Sequence, residues 1–241
     1  MTFLQSLIRY LSQASRIRCF ICHDHCTDAY PICLECKQNL PFLLKSCEQC
    51  AAPLESKVDN RCGHCLTHVK SYERTIALFD YQPPINSFII QLKFAQRLAL
   101  GSFLGELLAT KLIESYQQQA LPTCILPVPL HASRLKERGF NQAVVIAKPI
   151  AKQLNIPIAH HIIHRIKATA PQSQLPKNKR RRNIKDAFRV QLTSDLEHIA
   201  VLDDVITTGV TVHELCSQLK INGIQRIDVW AVAKRTLASH G

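Results

Sequence analysis

Glycine and aromatic residues are both scarce: the 241-residue chain has 7 Gly, and 6% of it is Phe, Trp or Tyr. So little glycine, with only 12 Pro, excludes a collagen-like or low-complexity chain. Few aromatics argue against an extended platform on which bases would stack. No apolar run approaches the roughly 18 residues of a membrane helix, so no membrane insertion is expected. Residues 1–18 carry Leu4, Leu7, Ile8 and Leu11 at helical spacing, interrupted by polar residues and followed by no small-residue cleavage site. A helix is expected there rather than a secretory leader, and the expected location is cytoplasmic. Acidic residues are also few: 18 Asp+Glu against 30 Lys+Arg leave a formal charge of +12. That excess points to a polyanionic partner or substrate. With 46% apolar residues, the chain can build one sizeable core and a small second module.

Cysteine, by contrast, is plentiful and uneven. Nine of the 11 cysteines lie between Cys19 and Cys65, and eight of them form four C-x-x-C pairs. These are Cys19/Cys22, Cys33/Cys36, Cys47/Cys50 and Cys62/Cys65. Each pair puts two sulfurs on one tight turn, and a second turn completes a tetrahedron, so two structural zinc ions (Zn2+) are expected. Disulfides would need an oxidising compartment. Sequential pairing requires only short loops and is the expected arrangement; an interleaved one would join the first and third turns. Cys26, His23, His25, His64 and His68 could each replace a thiolate, but are expected to be solvated loop residues. The expected division is a helix over 1–18, a double zinc ribbon over 19–70 and an α/β domain over 71–241.

Beyond residue 70 the pattern alternates strand and helix. Strands are expected at Thr75–Tyr81, Thr123–Val128, Ile199–Leu202 and Ile227–Ala233, with another inside Ile156–Ile166. Helices are expected at Ile85–Phe94, Leu98–Gln118, Phe140–Leu154 and Thr211–Ile221, with Pro149 kinking or splitting the third. Such alternation predicts a mostly parallel sheet flanked by helices.

The run Val201-Leu202-Asp203-Asp204-Val205-Ile206-Thr207-Thr208-Gly209-Val210-Thr211 carries the chemistry. A buried strand delivers two carboxylates to its C-terminal end, the edge where open α/β sheets bind ligands. A hydroxyl-rich turn with a glycine then opens a helix whose N–H groups favour an anion. The pattern suits a phosphorylated sugar, with phosphate on the turn and a diol on Asp203 and Asp204. The plain alternative is a strand, a turn and a capped helix.

This run resembles the phosphoribosyl-pyrophosphate (PRPP) signature of type I phosphoribosyltransferases, with Val210 standing where that family usually has a smaller residue. More of the chain resembles the ComF family of competence-associated proteins: Pro127-Val128-Pro129-Leu130-His131, Arg134-Leu135, Arg138-Gly139-Phe140-Asn141-Gln142-Ala143, Lys93, and Arg165, Thr169, Gln172, Leu175, Arg180, Asn183 and Ala187-Phe188. The cysteine-rich front end fits the same family. The resemblance implies a zinc ribbon ahead of a phosphoribosyltransferase-like domain. It assigns Asp203 and Asp204 as the catalytic acids and Val205, Ile206, Thr207, Thr208, Gly209, Val210 and Thr211 as the 5′-phosphate loop. Pro127, Val128, Pro129, Leu130, His131, Arg134 and Arg138 would form the pyrophosphate loop, with Mg2+ bound alongside PRPP.

Residues 167–185 would be a lid, with Gln172, Lys177, Lys179, Arg180, Arg181, Arg182 and Asn183 as its contacts. From Arg165 to Arg189 there are nine Lys/Arg and one acid, Asp186. Such a segment could stabilise departing pyrophosphate, hold a nucleic-acid backbone by charge, or serve only as a solvated loop. By resemblance the protein would support DNA uptake and transformation, handling single-stranded DNA beside uptake or recombination proteins. A regulatory nucleic-acid binder with a vestigial sugar pocket, or a nucleobase salvage enzyme, are the alternatives.

Overall fold

The same local device appears twice along the chain, once in each ribbon. The first C-x-x-C turn closes through a residue in the left-handed region, His23 at φ 63° and Ala51 at φ 56°. There, the His23 amide donates to the Cys19 carbonyl at 3.0 Å and the Ala51 amide to the Cys47 carbonyl at 2.8 Å. The second pair opens a one-turn helix: Cys33 precedes α1 (Leu34–Gln38) and Cys62 precedes α2 (Gly63–Thr67). The computed structural model describes residues 18–26, 31–54, 60–168, 182–192 and 196–236. The helix expected over 1–18 lies outside them, save for Arg18.

Contacts divide the chain after Leu40 into two compact units. The first therefore holds one ribbon. The second holds the other ribbon together with the α/β body, although the sequence alone suggested a division near residue 70. Backbone hydrogen bonds account for this: the Leu43 amide donates to the Leu78 carbonyl at 2.9 Å, and the Thr75 amide to the Glu48 carbonyl at 2.7 Å.

The body is a parallel sheet of β1 (Arg74–Asp80), β2 (Cys124–Pro127), β5 (His198–Ile206) and β6 (Arg226–Lys234), in the order β1-β6-β5-β2. Its two central strands are mostly apolar and mostly buried, as a sheet covered on both faces requires. The helices are α3 (Ile85–Phe94), α4 (Leu98–Ser115), α5 (Ala132–Arg138), α6 (Gln142–Leu154) and α7 (Val210–Ile221). Ile199 and Val201 pack with Val212, Leu215 and Cys216 of α7. The alternate residues of β5 face the other way, toward α6, from which Gln142 reaches Asp204. Because the strands are parallel, their C-terminal ends share one edge. At the opposite edge buried Asp228 accepts hydrogen bonds from Tyr116 Oη at 2.5 Å and Arg74 Nε at 3.1 Å.

Two expectations change in detail. Helix α6 runs through Pro149 without splitting. A Cβ on Gly105 of α4 would lie 2.6 Å from Pro149 Cγ, so the bare glycine gives the ring its room. Strand β5 continues to Ile206, so the acid pair lies within the strand and not after it. The region 156–166 contributes β3 (Ile163–Arg165), which pairs antiparallel with β4 (Phe188–Val190), a strand too short to show in the sequence pattern.

Candidate phosphosugar site and cysteine centres

Asp203 and Asp204 are neighbours in the chain but not in environment, because successive strand residues point to opposite faces. Asp204 is buried. Its Oδ1 accepts from Gln142 Nε2 at 2.9 Å, and its Oδ2 is ion-paired with Lys93 Nζ. Burial pushes its carboxyl up, but the Lys93 ammonium and the Gln142 amide outweigh that and hold it below the usual range. Asp203 is half-buried and accepts from the Asp204 amide at 2.9 Å. Burial first, and then repulsion by Asp204, push Asp203 up to about 7. The pair thus comprises one fixed anion and one carboxyl poised near neutrality, an arrangement typical of functional sites.

The turn after β5 is held from below. Lys234 Nζ, buried at the end of β6, donates to the Thr207 carbonyl at 2.7 Å, and the Arg235 amide donates to the Ile206 carbonyl at 2.9 Å. Gly209 stands at φ 74°, a left-handed position that favours glycine, and ends the turn at the N-cap of α7. As a glycine, it has no side chain with which to cap that helix start. Thr207, Thr208, Val210 and Thr211 are half-buried around it, and Val205 is paired with Ala233 in the sheet. Buried Tyr72 lies beneath, its hydroxyl 3.7 Å from where a Gly209 Cβ would sit.

The 127–138 segment runs along the same edge. Pro127 ends β2, and Val128 is fastened twice: its amide donates to the Leu202 carbonyl at 2.8 Å and its carbonyl accepts from Asn141 Nδ2 at 3.0 Å. Pro129 and Leu130 are half-buried. His131 caps α5 by accepting from the Ser133 amide at 3.2 Å, and it bridges to Arg165. Arg134 and Arg138 lie one turn apart on α5. Arg138 donates to Gln142 Oε1 at 2.5 Å, so a chain of contacts runs from Arg138 through Gln142 to Asp204 and Lys93. Arg165, whose pKa burial and the like charge of Arg134 lower, feels Asp203 as its opposing charge.

Of the expected lid contacts, Gln172, Lys177, Lys179, Arg180 and Arg181 lie outside the described residues; Arg182 is exposed and Asn183 half-buried. The two ends of that segment meet where the Ile166 amide donates to the Ala187 carbonyl at 2.8 Å and Lys167 Nζ to the Lys185 carbonyl at 2.9 Å. Sequence reasoning assigned no role to Gln142, Tyr72 or Lys234. Gln142 and Lys93 stood inside motifs of the family resemblance, whereas nothing in a single sequence singles out Tyr72 or Lys234.

The eight expected cysteines gather into two clusters with sequential pairing, Cys19/Cys22/Cys33/Cys36 and Cys47/Cys50/Cys62/Cys65. Within each, the sulfurs all lie within 4.8 Å of one another, and Cys22–Cys33 and Cys50–Cys62 are each 3.7 Å apart. A tetrahedral zinc with Zn–S bonds of about 2.3 Å needs sulfurs roughly 3.8 Å apart, so the donor sets fit the ion. Cys26, His23, His25, His64 and His68 belong to neither cluster.

A parallel sheet with an acid pair and a Thr-Thr-Gly turn at its C-terminal edge, preceded by two four-cysteine clusters, defines a cysteine-ribbon protein with an α/β body. No family model matches the chain. It is 34% identical over 205 residues to the DNA utilization protein YhgH of Salmonella typhimurium and 35% identical to that of Escherichia coli O157:H7, covering 84% of this chain and 90% of each relative. It is 31% identical over 221 residues to competence protein F of Haemophilus influenzae, covering 96% of that protein. The chain belongs to this family, the ComF family. Among solved structures, the UMP synthase of Leishmania donovani overlaps 58% of this chain and 24% of its own, at 16% identity and a TM-score of 0.34. A hypoxanthine-guanine-xanthine phosphoribosyltransferase overlaps 56% of this chain and 62% of its own, at 18% identity and a TM-score of 0.28. No helix among the described residues is long and apolar enough to cross a membrane.

Proposed function

We propose that this protein binds PRPP or a closely related phosphosugar and serves the uptake and use of DNA in the cytoplasm, where it handles single strands. The observation that carries the sugar reading is the junction of β5 and α7: a carboxyl poised near neutrality, a lysine-braced turn and a helix start whose N-cap glycine has no side chain to cap it. The 5′-phosphate would sit on the turn from Thr207 to Thr211, where N–H groups and hydroxyls donate. Asp203 would receive the ribose hydroxyls, directly or through Mg2+. Asp204 would act from behind as a buried anchor. Arg134 and Arg138 supply the charge and planar donors that suit a diphosphate.

The DNA reading draws on the names of the relatives, DNA utilization protein and competence protein F. It also draws on the excess of 30 basic over 18 acidic residues and on the arginine-dense segment 177–182. Uptake and recombination proteins are the expected partners. Whether transfer follows binding depends on an acceptor.

Calorimetry with PRPP and Mg2+ tests the sugar reading. Heat is expected for the wild type and is expected to fall at least about tenfold in affinity for Asp203→Ala, the loss of one charge-assisted pair of contacts. No heat for the wild type, or equal affinity in the variant, overturns it. Salt-dependent binding of single-stranded oligonucleotides tests the DNA reading; an unchanged salt slope in Arg180→Ala/Arg181→Ala/Arg182→Ala removes the segment from it.

A further inference from the structure

We propose that Phe94, with the guanidinium of Arg138 over its ring, is a stacking seat for one unpaired nucleobase at the mouth of the phosphosugar site. Its placement beside a sugar rests on the reading above, but its own test does not.

Phe94 is 74% exposed, more than any other described Phe, Tyr or Trp ring. A lone exposed apolar residue is ordinary. Phe94 differs in being held on two sides by groups fastened to Asp204. Lys93, its neighbour in the chain, pairs with that carboxylate. On the other side the Arg138 guanidinium carbon lies 5.5 Å from the ring centroid, while Arg138 reaches Asp204 through Gln142. The ring is the last residue of α3, and the chain then turns through Gln96 at φ 52°, so residues 94–99 are all exposed. Arg97 donates back to Gln91 Oε1 at 2.6 Å and ties that turn to the helix.

The chemistry selects the occupant. A flat ring with a guanidinium beside it receives a second π-face well, and bases of every kind have one. Ile90 and Leu98, 49% and 45% exposed, extend the apolar surface along the same stretch. Alone they would suit an apolar protein segment. Arg97 follows Phe94 in the same exposed stretch, and α5, which brings Arg138 to the ring, carries Arg134 and Lys136 as well, with a single acid, Glu137. That charge favours a ligand carrying phosphates as well as a ring. A free base presented to the sugar and a base within a DNA strand share this chemistry.

A tryptophan at the position reads the contact. The one native tryptophan, Trp230, is fully buried and donates to Tyr116 Oη at 3.0 Å, so it stays silent. In Phe94→Trp, quenching is expected on adding single-stranded oligo-dT, on adding adenine with PRPP and Mg2+, or on both. The arm that responds identifies the source of the base. Phe94→Ala is expected to bind the responding ligand about tenfold more weakly, and Phe94→Tyr close to wild type. PRPP affinity is expected to be unchanged in Phe94→Ala, so failure of the sugar reading shows in the wild-type titration and failure of the seat shows here. No quenching in either arm, wild-type affinity in Phe94→Ala, or a tryptophan already shielded in the free protein by a second copy of the chain, each overturns the proposal.

Discussion

Lys93 Nζ rests on Asp204 Oδ2, joining the end of α3 to the end of the central strand β5. Both side chains are largely removed from water, and Asp204 almost completely. Removing one member of such a pair leaves a buried charge with no partner. Lys93→Met is therefore expected to cost about 3–5 kcal/mol in denaturant unfolding. Lys93→Met with Asp204→Asn is expected to recover most of that loss. A double variant no better than the single one would show that the two residues are not coupled.

The raised pKa of Asp203 makes stability fall with pH. Its ordinary value is 3.8 and its value in the fold is about 7. Between these the folded chain keeps a proton that the unfolded chain releases, so stability declines as pH rises through that window and levels off above it. Asp203→Asn is expected to match the wild type near pH 4 and to exceed it at about pH 8.5. Phosphosugar affinity of the wild type is expected to rise across the same window, as the carboxylate ionises. Unfolding curves at both ends check this; a gap that does not widen with pH sinks it.

Two zinc ions per chain are expected by elemental analysis. Cys47→Ser with Cys50→Ser is expected to retain one and to lower the melting temperature by at least about 5 °C, given roughly 2–4 °C per kcal/mol at this size. The reason is local. Glu48 and Gln49 lie between those cysteines, and their carbonyls accept from the Thr75 amide and Thr75 Oγ1, each at 2.7 Å. Fewer than two zinc ions in the wild type, or unchanged melting in the variant, counts against it.

At the crossing of α4 and α6 two glycines predict different penalties. A Cβ on Gly105 would stand 2.4 Å from the Ile146 carbonyl oxygen, which is backbone. On Gly101 it would meet the Val145 and Leu92 side chains at 2.7 and 3.1 Å. Side chains rotate and backbone does not, so Gly105→Ala is expected to cost about 2–3 kcal/mol and Gly101→Ala about half that. Equal costs would mean that the crossing adjusts as a whole.

Most of the elements could be read from periodicity, since Ile85–Phe94, Leu98–Ser115 and the two central strands bury long regular faces. The four C-x-x-C pairs were equally plain, because their spacing is local. What escaped was non-local. The opposite surroundings of Asp203 and Asp204 follow from strand alternation only once β5 is known to run to Ile206. The packing of the second ribbon onto β1 depends on hydrogen bonds between residues some 26 positions apart, such as Thr75 to Gln49. Pro149 misleads because its tolerance is granted by Gly105 on another helix.

The short span between Cys47 and Cys50 does more than join two candidate metal ligands. It grips Thr75, while Tyr72 just before it supports the turn at Gly209 and Lys234 secures that turn from the neighbouring strand. If the ribbon holds zinc and the turn a sugar, as proposed, a chain without its second ion would lack that foundation, and sugar binding would become dependent on metal supply.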